Sequence, residues 1–275
     1  MTVLTESARR LRTPRFATHL ALVGVAAVAL CAILGPLLWS VSPTSSQGLP
    51  FLGPSSEHLL GTDVLGRDVL SRVLHGGRTT LLIALCATVI STAAGLAIGT
   101  AAGLAPARLG EILVRGTDVI AVVPALLVLL VLAAGFPGQN LAVVVGVALV
   151  SVPFATRVVR GATTAVADTG YVEVARARGD HQVSVIRRDI LPNITGPVFA
   201  DTGTRFVAAI QLTAAAGFLG LGRGAPDPNW GAMVSENLPG IALTVSPVLA
   251  PTILLVMLSV SVNLLADRIQ IGMKR

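Results

Sequence analysis

Residues 171–192 read YVEVARARGDHQVSVIRRDILP, and the acids and bases crowded between Glu173 and Asp189 set this stretch apart from what surrounds it. The chain has 275 residues, 53% of them hydrophobic and only 12% charged, with a mean hydropathy of +0.80. That composition excludes a soluble domain or a disordered chain as the main reading and points to a polytopic helical membrane protein. A charged island in so apolar a chain belongs outside the lipid, in contact with something, and the remainder reads as a membrane body that positions it.

Working outward, the apolar runs are long and continuous, unlike the ten-residue alternation of a transmembrane barrel. A spanning helix needs about 20 apolar residues, and six such runs fit: residues 18–41, 79–104, 112–134, 141–154, 197–221 and 241–265. The expected fold is all-α, with six transmembrane helices. Its divisions are a cytoplasmic N-terminus at 1–17, a first span at 18–41, and an outer segment with a short amphipathic helix at 42–78. A five-helix core at 79–265 contains the loop 157–195, and a cytoplasmic tail follows at 266–275. The basic start and first run are too long for a signal peptide and lack a nearby cleavage site. Fifteen of the 20 basic residues then fall on the N-terminal side of the membrane, against Arg67, Arg72, Arg78 and Arg223 outside and Arg205 within a span. Such a bias orients the loop inward, in the cytoplasm, and explains the net charge of +6 without nucleic acid.

Within 171–192 the pattern is helical. Asp168 can cap a helix reaching Arg178, with Gly179 where a left-handed C-terminal residue is wanted. Asp180 can cap a second helix that Pro192 helps to stop. Val172, Ala175 and Ala177 offer a small apolar face, while Arg176 and Arg178 can pair with acids on a partner. In the second span, Ser91, Gly95, Gly99 and Gly103 recur every four residues and make a face that another helix can approach closely.

The order of residues in the loop resembles the signature of ABC importer permeases, in which Glu-Ala-Ala is followed by three residues and Gly, and later by Leu-Pro. The matching residues are Glu173, Val174, Ala175, Gly179, Leu191 and Pro192, with Arg176 inside the motif. Val174 stands where the family has Ala, and Asp189 where it has an aliphatic residue. Further resemblance narrows the family to permeases of dipeptide, oligopeptide and nickel importers. His58, Gly61, Thr62, Asp63, Gly66, Arg67, Asp68, Ser71 and Arg72 are similar to its outer motif, followed by Gly77 and Arg78. Arg115, Asp118 and Pro124 match its third span, and the run from Phe218 to Gly222 matches with Pro228, Trp230, Gly231 and Met233. After Asn263 the tail, LLADRIQIGMKR, departs from the family pattern.

The resemblance implies the type I permease fold, a location in the inner membrane with both termini cytoplasmic, and ATP-driven import of dipeptides or oligopeptides. A nickel or metal-chelate importer is the alternative. It implies a second permease subunit, two cytoplasmic ATPase subunits that use ATP and Mg2+, and an outer substrate-binding protein. The loop residues Glu173, Val174, Ala175, Arg176, Gly179, Leu191 and Pro192 would couple the membrane body to the ATPases. The chain itself would bind no cofactor and no metal.

The residues also speak against other classes. There is no GxxxxGK[ST], hence no P-loop for ATP, and neither HExxH nor GxSxG, so an intramembrane enzyme is disfavoured. A passive channel would leave the Glu-x-Ala-x3-Gly loop without a purpose. Cys31 and Cys86 sit inside apolar runs as packing residues, and His58 with His75 do not make a metal site. Outside, Thr62 or Asp63 can cap a short helix at 67–73, on which Arg67, Asp68 and Arg72 pair across one turn. Asp63, Arg67, Asp68 and Trp230 are expected at an outer gate or receptor contact, with Trp230 read more readily as an interfacial anchor. Asp201 and Arg205 form a structural ion pair four residues apart near the inner end of the fifth span. Asp118 pairs with Arg115, and neither set is read as a substrate ligand.

Overall fold

The longest element, α2 (Val69–Leu104), runs 36 residues without a break, about 54 Å at 1.5 Å per residue. In the computed structural model, which describes residues 15–224 and 226–273, it is the axis on which the rest is assembled. Arg9, Arg10, Arg12, Lys274 and Arg275, counted above among the cytoplasmic charges, lie outside the described residues. Asp68 starts α2 by accepting a hydrogen bond from the Ser71 amide at 2.8 Å, so the cap is Asp68 rather than Thr62 or Asp63. The short amphipathic helix expected at 67–73 is the first turns of α2.

Against α2 lies α5 (Asn140–Ala167). The four-residue stripe of small residues is the seam: a Cβ on Gly95, Gly99 or Gly103 would fall 2.5 to 2.8 Å from Ala155, Val159 or Thr163 of α5. Close backbone approach of this kind is how helices associate where lipid offers no hydrophobic drive. Two further long helices, α8 (Leu191–Phe218) and α10 (Ser246–Met273), complete the main layer, and α1 (Arg15–Leu38) packs on α2 and α10. Their shared core gathers Val73, Leu129, Val147, Ile210, Trp230, Met233 and Leu258.

The expected third span is two helices, α3 (Ala107–Val122) and α4 (Ala125–Gly135), bent by 80°. Pro124 has no N–H to continue the ladder and holds Val123 extended, at φ −78° and ψ 129°. Among the described residues four helices are long and apolar enough to cross a membrane, the described parts of α1 and α10 together with α2 and α5, or five if the bent pair is one span. The expectation was six. The remaining one corresponds to α8, which at 28 residues has the length but is diluted by Asp201, Arg205, Gln211 and several threonines.

The charged stretch forms α6 (Gly170–Ala177) and α7 (Gln182–Val185), after which a wide π turn over Ile186–Ile190 leads directly into α8. Pro192 therefore does not stop the second helix. Lacking an N–H, it loosens the ladder, the Leu191 amide reaches back to the Ile186 carbonyl, and Asn193 Nδ2 donates to the Asp189 carbonyl at 2.7 Å. Near Trp230, α9 (Trp230–Asn237) and a 3-10 turn at Leu238–Gly240 connect α8 to α10. The molecule thus has a Trp230 end and a Gly179 end, at opposite ends of α2.

Candidate functional site

At the Gly179 end, α6 closes in a Schellman turn. Gly179 has φ +84°, its amide donates to the Arg176 carbonyl at 3.0 Å, and the Asp180 amide donates to the Ala175 carbonyl at 3.1 Å. Only glycine takes this conformation without strain. The helix starts are not those expected: Asp168 ends α5 and Thr169 precedes α6, while His181 rather than Asp180 caps α7, its ring accepting from the Val183 amide. Val172 and Ala175 do not face a partner either. They are buried with Val159, Val185, Ile190 and Ile194 in a second core that fastens the helix pair to α5 and α8, and Leu191 packs against it. What the pair presents is the other side. Tyr171 and Val174 are 48% and 56% exposed, Val183 is exposed beyond the turn, and Glu173, Arg176, Ala177, Arg178 and Pro192 are exposed around them. The pair thus has an exposed apolar face rimmed by charge on one side and a buried core on the other.

At the Trp230 end the four residues expected in a gate or contact are all buried within the chain. Asp63 accepts from the Arg67 Nε at 2.6 Å and from the amides of Leu65 and Arg67. Arg72 approaches the same carboxylate at 3.3 Å. Arg67 and Arg72 each donate to one oxygen of Glu236, both at 2.9 Å. Asp68, besides capping α2, meets His58 at 3.1 Å. The one-turn pairing of Arg67, Asp68 and Arg72 is therefore replaced by a knot tying the segment before α2 to α9. The sequence does not single out Glu236: Asp63 and Asp68 already balance the two arginines on paper, and only the fold turns Asp68 to His58 and brings Glu236 in. Trp230 is no interfacial anchor. It is 0% exposed, its Nε1 donates to the Val73 carbonyl at 2.8 Å, and a Cβ on Gly77 would meet its ring at 2.5 Å.

Between the ends, charges from three helices meet on one surface. Arg157 of α5 donates to Asp118 of α3 at 2.7 Å, whereas Arg115 pairs with Glu111, correcting the expected Asp118–Arg115 pair. Arg205 holds Asp201 through two bonds of 2.9 and 3.2 Å, as the spacing predicted. The ring of Phe154 lies between the two pairs, 5.7 Å from the Arg157 guanidinium and 5.1 Å from that of Arg205. Because α8 begins at Leu191, this pair sits about halfway along it rather than at its inner end. Among the described residues, no group of three His, Cys, Asp or Glu side chains is placed to hold a metal ion.

Residues 95–275 match the family of binding-protein-dependent transport system inner membrane components. The chain belongs to that family. This permease is 33% identical over 248 residues to the di/tripeptide transport system permease protein DppC of Pseudomonas aeruginosa, covering 87% of this chain and 82% of the relative. It is 33% identical to the glutathione transport system permease protein GsiD of Pectobacterium atrosepticum, over 78% and 71% of the two chains. It is 31% identical to the dipeptide transport system permease protein DppC of Alkalihalophilus pseudofirmus, over 90% and 83%. In fold it resembles the inward-facing MetNI methionine ABC transporter, with a TM-score of 0.62 at 19% identity, covering 74% of the permease and 97% of that chain. An amino acid ABC transporter solved with histidines gives a TM-score of 0.57 at 18% identity, covering 73% and 94%. The permease is accordingly a multi-pass inner-membrane transport subunit and not itself catalytic; separate ATPase subunits of the importer use the ATP, and a binding protein delivers the cargo.

Proposed function

We propose that this permease imports short peptides, pairs with a second, related permease to enclose the path, and is driven by two ATPase subunits docked on residues 173–192. In this reading α1, α2, the α3–α4 pair, α5, α8 and α10 make six crossings, with both termini and the Gly179 end in the cytoplasm. The peptide cargo draws support from the relatives named for di- and tripeptides and dipeptides, and the orientation from the concentration of basic residues on one side. The docking role rests on one observation above all: Tyr171, Val174 and Val183 stand exposed on a helix pair whose underside is stapled to the membrane body. A partner that covers this patch can transmit force, because the patch cannot slide on its mount.

The direct test is copurification of the ATPase with the permease, alongside uptake of a labelled dipeptide. Val174→Asp or Glu173→Arg should leave the permease in the membrane at normal abundance and lower both readouts at least tenfold. Gly179→Pro should do the same by removing the left-handed turn. Unchanged ATPase retention and uptake in all three would sink the docking role.

A further inference from the structure

The strip formed by Asp118, Arg157, Phe154, Arg205 and Asp201 lies partway along α3, α5 and α8, with Arg157, counted above among the inner-side charges, inside α5 rather than beyond its end, and it is open on one side. Arg157 and Asp118 are 47% and 33% exposed, Arg205 and Asp201 18% and 15%, and Phe154 39%. Charged groups at such a depth face protein or water, not lipid. A second observation points the same way. The exposed side of α8 carries Asn193, Thr204 and Gln211, spaced so that all three fall on one helical face beside Asp201. Those polar residues, with Asp201 and Arg205, leave α8 outside the set of helices apolar enough to span on their own. A long helix with an ion pair at its midpoint, Asn193, Thr204 and Gln211 on one exposed face, and exposed rings at Phe199 and Phe218, is suited to bound a route for a cargo with both charged and apolar parts.

We propose that this strip is a low-affinity contact site for the peptide in transit, a deepening that rests on the peptide reading above. The C-terminal carboxylate would be received by Arg157 or Arg205, the N-terminal ammonium by Asp118 or Asp201, and the chain between them would lie against Phe154. The chemistry is that of a zwitterion. With no cargo, each arginine is neutralised by its own aspartate, so the site is satisfied at rest. With cargo, each end group replaces one partner by another of the same sign, a near-even exchange. Weak holding of this sort suits a path, where binding must allow entry without preventing exit. An extended dipeptide reaches about 7 Å, in keeping with charges gathered round a single ring. Phe154 also supplies the one aromatic face of the strip, and two guanidiniums already lie within 6 Å of its centroid, at 5.7 and 5.1 Å.

The test uses the whole transporter, with its second permease, ATPases and binding protein, in a parent carrying Cys31→Ala and Cys86→Ala. Thr204→Cys places a thiol beside the strip without altering its five residues, and Val23→Cys places one on an exposed apolar face of α1. A charged, water-soluble methanethiosulfonate should label the Thr204→Cys variant and not the Val23→Cys variant. Alanyl-alanine should slow the labelling of Thr204→Cys at least threefold, while acetyl-alanyl-alanine amide, which has neither charge, should not. Adding Arg157→Gln with Arg205→Gln should abolish the protection and raise the KM for alanyl-alanine uptake at least tenfold. A Thr204→Cys thiol that resists the reagent, or crosslinks to the second permease, would mean that the strip is covered by a neighbouring subunit and would overturn the proposal. So would labelling that alanyl-alanine leaves untouched in a parent that imports it. A parent that imports no di- or tripeptide would overturn the peptide reading itself, and the proposal with it.

Discussion

Glu236 carries two guanidiniums on a single oxygen, both at 2.9 Å, and Arg67 and Arg72 are buried beneath it. Removing one partner of a fully buried ion pair costs about 3–5 kcal/mol, and losing Glu236, itself 23% exposed, leaves the two arginines with Asp63 alone. Glu236→Gln should therefore lower the thermal unfolding midpoint of the detergent-solubilised permease clearly more than Glu111→Gln, whose pair with Arg115 is exposed and contributes at most about 1 kcal/mol. This scale was the least legible in the sequence. The residue types in the outer segment announced ionic partners, but a pattern along the chain shows neighbours in sequence. Glu236 lies more than 160 residues from the arginines it serves. Trp230 misled for a related reason: tryptophan favours membrane interfaces on average, and only the space left by Gly76 and Gly77 reveals that it is an internal wedge.

Elements were easier to read where a period could speak. Ser91, Gly95, Gly99 and Gly103 defined a close helix face in advance, and that face is the α2–α5 seam. Gly99→Ala should overpack the seam and destabilise the fold by about 1–3 kcal/mol, since its Cβ would come 2.6 Å from that of Val159. Gly116→Ala, a helical glycine with open space around it, should instead raise stability by about 0.5–1 kcal/mol. Parallel unfolding of the two variants measures the contrast, and a similar loss in both would remove the seam's special status. Prolines were visible but their effects were not. Pro124 sits inside one continuous apolar run, yet it turns the chain by 80°; Pro192 has the look of a stop, yet the backbone absorbs it in a wide turn and continues. What a proline does depends on how the groups around it re-pair: here the Leu191 amide bonds the Ile186 carbonyl and Asn193 Nδ2 donates to the Asp189 carbonyl.

For the whole molecule, the distribution of basic residues and the length of the apolar runs carried the architecture, and the tertiary contacts within the Trp230 end were beyond their reach. The orientation makes a definite demand. In the cysteine-free parent, Ser45→Cys should react with an impermeant reagent from outside intact cells, and Ala177→Cys only after the inner face is opened; both positions are exposed. The reverse pattern would invert the membrane placement. A last consequence comes from the way α8 is mounted. It grows out of the α7 turn without a linker, and close to its middle Gly203 lets α10 approach so nearly that a Cβ there would lie 3.0 Å from that of Ala266. Gly203→Val should thus jam the crossing, abolishing dipeptide uptake while the ATPase still copurifies; normal uptake would show that the crossing does not need to turn. A stiff beam resting at its centre behaves as a see-saw with arms of about 20 Å, and a tilt of about 10° moves each tip by about 4 Å, in opposite directions. Pressing on one end of the permease would then narrow one mouth by the motion that widens the other.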